Sequence, residues 1–466
     1  MALSPGAGRA AEPGRAADFR HPGADRGGPV DLVRARRILV VRPDNVGDVV
    51  LLTPALRALR AAAPHARIDL LGSPAGASVA PMVPELDGVL VVSPSWQQLT
   101  APTDPPAVEA AARAERELLE RLILGRYDAM LVFTSFSQSP WPAAHLGLLA
   151  GIPTRVVHSR EFAGAVATHW VTPPPDTTHH VDRSLHLLAA LGVAAHGIAP
   201  SLRVPVAAYA EADAVLAAAL GACAHPGRVK PPLALVVPGA SCPSRRYPAA
   251  GFGAAAARIA AAGLSVVVAG TAAEAGLVDE VVEVAQAAAE PGSARVRALP
   301  AVGLPVFAAV VARAAVALTN NSGGLHVADA VGTPVVVTYA GTERLGDVAP
   351  RAVPSVLLQV PVPCSPCRQL TCPFHQECLD VPPARLADAA LRLLAARDGA
   401  PDGADPDAGT AVATTRTPRS GAPRSGTPGT PGPGAPTAGA AGRPARPRIP
   451  DTPEEPRWTP EPTRTA

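Results

Sequence analysis

The stretch Ala314-Ala315-Val316-Ala317-Leu318, Asn320-Asn321-Ser322-Gly323-Gly324-Leu325-His326, Pro334-Val335-Val336-Val337 decides the fold. Two short apolar runs flank a polar, glycine-bearing turn, and the turn opens a short helix that carries His326. A run that is apolar throughout, without alternation, is the pattern of a strand covered on both faces of a parallel sheet. A turn of this kind ends such a strand and aims the first N–H groups of the next helix into the crevice at the sheet's carboxyl edge. The positive helix end suits a phosphate, and polar side chains beside it suit sugar hydroxyls. Asn, Ser and Gly are also ordinary turn residues, so a plain connection is the competing reading.

Working outward, strands and helices alternate on both sides. Arg37–Arg42 reads as a first strand, and Pro43 to Asp48 turns it into a helix running to about Ala62. Ile68–Gly72, Gly88–Val92 and Tyr127–Phe133 read as further strands, with a charged helix over 107–124. Periodicity is weak over 141–200. A second series starts at Leu233–Val237 and continues through helix 248–262, strand 265–269, helices 274–290 and 304–313, strand 314–319, helix 324–331 and strand 334–338. This alternation implies an α/β protein with two Rossmann-like parallel-sheet domains facing across a cleft lined by their β-to-α turns. The expected boundaries are a tail over 1–33, a first domain over 34–205 and a second over 206–382, the latter with a Cys-rich loop at 364–378. A terminal helix over 383–397 is a candidate to reach back to the first domain. The Pro-, Gly- and Thr-rich stretch 398–466 buries too little apolar surface to offset its ordering entropy and is expected to be disordered, like 1–33.

Lys plus Arg is 41 and Asp plus Glu 39, so no strong net field draws the chain to a polyanion. Aromatics are 3% and no basic stripe interleaves with them, which argues against a nucleic-acid module. The first thirty residues lack the apolar core of a signal peptide. Phe252–Gly270 is nearly all apolar but contains Arg258 and Gly263 and ends β-branched, so it reads as a buried helix and strand, not a membrane span. A cytoplasmic protein is expected, with peripheral contact to the inner membrane face left open.

Three strand-to-helix loops are candidates for chemistry. In Arg42-Pro43-Asp44-Asn45-Val46-Gly47-Asp48, Asp48 opens a helix at a carboxyl edge. There it is either a helix-capping acid or a general base, and the helix start should favour its charged form. In Pro238–Pro248, Arg245 and Arg246 are placed to neutralise a diphosphate or are simply solvated. In Ala269–Glu274, Glu274 accepts from ribose hydroxyls or stabilises a helix start. Gly251-Phe252-Gly253-Ala254-Ala255-Ala256 fits G-x-G-x-x-A on paper but follows no strand, so it is not a dinucleotide fingerprint.

Four cysteines cluster as Cys364, Cys367, Cys372 and Cys378. Their spacing leaves a structural zinc or iron–sulfur site and incidental thiols both open. His179 and His180 precede an apolar helix face and are either substrate-facing or exposed. His326 is a core histidine or a donor to a sugar or phosphate oxygen.

Taken in order, these pieces resemble one family. Ile38–Arg42, then Val46–Pro54 and Leu56–Leu59, resembles the opening of the ADP-heptose:lipopolysaccharide heptosyltransferases, family 9 of the glycosyltransferases, which have the two-domain GT-B plan. Pro238-Gly239-Ala240-Ser241 with Arg245–Pro248 resembles the second signature, and Thr319–His326 with Gly332–Val336 the third. His180–Arg183 and the loop Pro363–Pro373 are similar to further family features, so the likeness spans residues 36–397. It implies transfer of a sugar, heptose-like or related, from a nucleotide diphosphate donor to a saccharide or glycolipid acceptor, with inversion and no required cofactor or catalytic metal.

The family's catalytic aspartate falls on Asp48. Its basic residue near the donor phosphates falls on Arg245, where lysine is commoner, and its ribose glutamate on Glu274. Its donor-sugar aspartate falls on Asn321, which keeps hydrogen-bonding capacity but no charge. Asn321, Ser322, Gly323, Gly324, Leu325 and His326 become the expected donor wall, with Asn45, Gly47 and Thr53 acceptor-side or loop residues. The alternatives are a nucleotide-sugar epimerase of the same plan and a non-catalytic nucleotide-sugar-binding protein.

Overall fold

A computed structural model describes residues 30, 32–135, 138–221, 224–225, 228–229, 232–289, 296–398 and 411–414. All of them fall in one compact unit, Met1–Thr417; a second unit, Pro418–Ala466, lies outside the described residues.

The first half runs β1 (Arg37–Arg42), α1 (Val46–Ala62), β2 (Arg67–Gly72), α2 (Pro74–Ala77), β3 (Gly88–Val91), α3 (Pro105–Gly125), β4 (Ala129–Val132), α4 (Trp141–Leu149), β5 (Thr154–His158), β6 (His169–Val171) and α5 (His180–Ala189). Its six strands are parallel in the order β3-β2-β1-β4-β5-β6. The second half runs α6 (Val206–Leu220), a small antiparallel pair β7 (Ala224–His225) and β8 (Arg228–Val229), β9 (Leu233–Val237), α7 (Ala249–Ala261), β10 (Ser265–Val268), α8 (Ala275–Ala287), β11 (Val296–Ala298), α9 (Leu304–Arg313), β12 (Val316–Asn320), α10 (Gly323–Val331), β13 (Val335–Thr338), β14 (Ser355–Gln359), α11 (Pro383–Asp398) and β15 (Ala411–Thr414). Its sheet has the order β11-β10-β9-β12-β13-β14-β15, again parallel.

Both sheets therefore reverse strand order beside their first strand, between β1 and β4 and between β9 and β12. Open α/β sheets bind ligands in the crevice outside such a reversal. The central strands are apolar on both faces, as every residue of β9 and β12 is buried. One apolar cluster joins Leu51, Met82 and Val181 of the first half to Leu235, Val306 and Leu325 of the second, so the two sheets share a core where they meet.

Four expectations change. β5 and β6 appear where periodicity was weak, because Val156, Val157, Trp170 and Val171 form runs too short to read alone. Helix α11 packs on α7 and on β12 to β14, not on the first half; its buried Leu386, Ala387, Ala389 and Ala390 sit among α7 and β-strand residues of the second core. Leu32, inside the expected N-terminal tail, is buried against the first core, with Val30 packed partly buried beside it ahead of β1. Ala411–Thr414, inside the expected C-terminal tail, pairs parallel to β14, a four-residue segment free of proline at an open sheet edge. The rest of both tails lies outside the described residues.

Candidate active site

A cavity of about 710 Å³ opens between the two strand reversals, a size that suits a small-molecule substrate. The first half lines it with Asp44 to Asp48, Ser135, Gln138 and His180. The second half lines it with Gly239 to Cys242, Arg245, Glu274, Asn321 to Gly324, His326 and Glu343.

On the first side, Arg42 ends β1 with its side chain almost fully buried. Nη2 donates to Asp48 Oδ1 at 2.7 Å and to Ser135 Oγ at 3.0 Å, while Nε lies 3.2 Å from Asp44 Oδ2. Gln138 Nε2 donates to Asp44 Oδ1 at 2.5 Å. One guanidinium thus clamps two carboxylates. Asn45 caps α1, and its N–H donates to Asp48 Oδ2 at 3.3 Å, so Asp48 does brace the helix start. Its side chain is nonetheless 22% exposed to the cavity. Burial alone would raise the Asp48 carboxyl; Arg42 beside it, with His180 and His326 facing it, outweighs that and holds it below the usual carboxylate range. The helix start was expected to do this; the largest lowering influence is the Arg42 guanidinium. Asp44 is pushed the other way by burial, against the pull of Arg42.

Thr53 does not line the cavity. Pro54 lies inside α1 and has no N–H to give Val50 O, and Thr53 Oγ1 donates to that carbonyl at 2.7 Å instead. The same hydroxyl accepts from Ser201 N at 3.1 Å. Its hydroxyl thus repairs the helix from outside the cavity wall.

On the second side, Asn320 is a buried tie. Its Nδ2 donates to Pro238 O at 2.7 Å, and its Oδ1 accepts from Tyr247 N at 3.0 Å and Thr338 Oγ1 at 2.9 Å. Ser322 caps α10, and its hydroxyl donates to Gly239 O at 3.2 Å. Gly323 and Gly324 therefore carry the helix's first N–H groups at the cavity wall without side chains in the way. Leu325 is fully buried in the shared core, so its side chain is packing and only its backbone belongs to the turn. His326 is buried with its ring against Gly47: a Cβ at Gly47 would stand 2.4 Å from His326 Cδ2. Only glycine allows the two helices to meet this closely. Burial pushes His326 down to about 4 and His180 down to about 3, so both are neutral near pH 7 although each faces Asp48.

Arg245 Nη2 donates to Glu343 Oε1 at 2.5 Å and Nε to Thr342 Oγ1 at 3.1 Å. Arg246 instead folds back on Ala240 O at 3.0 Å and is not a cavity residue. Asn321 Oδ1 accepts from Ala340 N at 3.0 Å, and Nδ2 donates to Glu343 Oε2 at 3.3 Å. Glu274 lines the cavity and also caps its helix, its Oε2 accepting from Thr271 N and Oγ1 at 2.9 Å. The helix-start reading of Glu274 is seen directly, and the same side chain stands at the cavity wall.

The reading of the sequence missed Arg42, Ser135, Gln138 and Glu343. Glu343 had a usable signal, since Gly341-Thr342-Glu343 follows β13 as the other loops follow their strands. The four clustered thiols are free cysteines, and the three neighbouring thiols help burial raise Cys378. Among the described residues no group of three or more His, Cys, Asp or Glu side chains is arranged to hold a metal ion.

Two Rossmann-like parallel-sheet domains with a cleft at both strand reversals define the GT-B class of glycosyltransferases. The family model described as glycosyltransferase family 9 (heptosyltransferase) matches residues 116–377, more than half of the 466-residue chain, and the chain belongs to that family. It is accordingly a glycosyltransferase with a nucleotide-sugar donor. Its fold is similar to a family 9 glycosyl transferase from Veillonella parvula (TM-score 0.60, 19% identity, covering 79% of this chain and 99% of that one). It is also similar to ADP-heptose lps heptosyltransferase II of E. coli (TM-score 0.59, 20% identity, 78% and 100%). No curated protein sequence matches. Among the described residues no helix is long and apolar enough to cross a membrane.

Proposed function

We propose that the protein moves a heptose-like sugar from a nucleotide diphosphate sugar to a cell-envelope saccharide or glycolipid acceptor, inverting the anomeric centre without a catalytic metal. The observation that carries this is Asp48, held ionised by Arg42, across one cavity from the open N-terminus of α10. The acceptor hydroxyl lies beside Asp48. Its oxygen attacks the anomeric carbon as the bond from that carbon to the diphosphate oxygen breaks, and Asp48 takes the hydroxyl proton. A carboxylate of low basicity serves because the proton leaves only as the new bond advances. The electron pair departs on the diphosphate, where the N–H groups of Gly323 and Gly324 and the Arg245 guanidinium stabilise the growing charge. Glu274 is suited to the ribose hydroxyls, and Asn45 and Gly47 shape the acceptor side. Peripheral contact with the inner face of the membrane would bring a glycolipid acceptor to the cavity.

The test is Asp48→Asn. Nucleotide release with donor and cell-envelope acceptor should fall by about a thousandfold or more, with donor binding retained. Turnover like the wild type would sink the assignment. Donor incubated without acceptor should remain unepimerised.

A further inference from the structure

We propose that Glu343 is the carboxylate that grips the donor's sugar ring, and that residue 321 is an amide because its task is to hold that carboxylate. This rests on the glycosyltransferase reading above and assigns the sugar subsite within it.

Glu343 reaches the cavity from the loop after β13, with its side chain 22% exposed. Oε1 accepts from Arg245 and Oε2 from Asn321, so the group is fixed at both oxygens from two different loops. A carboxylate has about four acceptor positions. Two remain for the open side, which suits a pair of adjacent hydroxyls on a sugar ring joined by charge-assisted hydrogen bonds.

The same geometry explains Asn321. Its Oδ1 is committed to Ala340 N, leaving Nδ2 to face Glu343 at 3.3 Å. An aspartate would set a second carboxylate oxygen against the first, and two carboxylates sharing a site repel. Arg245 balances Glu343, and burial raises the Glu343 carboxyl against that pull. The diphosphate is left mainly to the first turn of α10.

The experiment uses the full chain and titrates ADP, GDP and UDP against ADP-heptose and ADP-, GDP- and UDP-hexoses, with nucleotide release measured in parallel. Glu343→Gln should bind the preferred free diphosphate within twofold of wild type, while its affinity and kcat/KM for the sugar conjugate fall about 10- to 100-fold. Asn321→Asp alone should lose a similar amount. The exchanged pair, Asn321→Asp with Glu343→Gln, should regain at least about tenfold over either single change for the sugar conjugate while free-diphosphate affinity stays within twofold of wild type throughout, a split that a merely structural loss would not show. Equal weakening of free diphosphate and sugar conjugate by Glu343→Gln overturns the proposal, because Glu343 would then act through Arg245 on the phosphates. A double variant no better than the worse single also overturns it. Wild-type protein that binds none of the three diphosphates overturns the underlying donor-site reading instead.

Discussion

The two strand-reversal loops share one topology and hold opposite charge arrangements. After β1, one guanidinium serves two carboxylates, and the wall is left net anionic: Arg42 with Asp44 and Asp48. After β9, β12 and β13, one guanidinium meets one carboxylate, Arg245 with Glu343, beside a helix N-terminus that adds partial positive charge. The first wall suits removing a proton from a neutral hydroxyl. The second suits an anionic leaving group. The fold supplies two equivalent crevices, and the side chains at their mouths divide the labour.

That contrast can be broken in steps. After the loss expected for Asp48→Asn, the next largest effect is Arg42→Gln. Removing the clamp should cut kcat/KM about a hundredfold and move the acid limb of its pH profile upward, because Asp48 loses the cation that holds it ionised. An unmoved limb would show that Arg42 does not set the charge of the base.

Gly47→Ala should cost less, about tenfold in kcat/KM and about 1–3 kcal/mol in stability, since the new methyl meets the His326 ring. His326→Ala in the same chain should restore part of the stability. If thermal melts of the double variant show no recovery, the glycine serves the turn and not the contact.

A smaller, graded effect is expected from acid. Buried His179 and His326 lie at about 4 and His180 at about 3, against 6.5 unperturbed. The unfolded chain therefore binds their protons first as the pH falls, so stability is full above about 6.5 and declines toward 4. Tm should drop steadily from pH 7 to pH 5. Replacing all three by Gln should reduce that slope, the remainder coming from His158, which burial also pushes far down.

The smallest catalytic effect is expected for Thr53→Val, which should lower stability by about 1–3 kcal/mol by stranding Val50 O and Ser201 N, with kcat unchanged. A selective rise in acceptor KM would return Thr53 to the acceptor site.

Local signals carried most of the frame. β9 is visible as a continuous apolar run, and β10, β12 and β13 as apolar runs with Ser265, Thr319, Asn320 and Thr338 at their ends; all four are buried, and the turn at Asn320 announces a helix start at a sheet edge. Asp48 was legible because its capping position and its loop lie within seven residues of a strand end. What stayed hidden was pairing at a distance. Glu343 meets Arg245, 98 positions earlier in the chain, and Ser135 meets Arg42 across 93, and no local spacing encodes either. The same limit applies to α11: its pattern showed a buried face but not which sheet would cover it.

The Gly47–His326 contact has a further consequence. It is a lock-and-notch joint between α1, which carries Asp48, and α10, whose first turn lines the opposite side of the cavity. On the proposed mechanism, the reach from Asp48 to the first turn of α10 is therefore gauged by ring thickness. Chimaeras that graft the first half of one relative onto the second half of another should work only when notch and ring travel together, and a mismatched pair should misalign two otherwise intact sites.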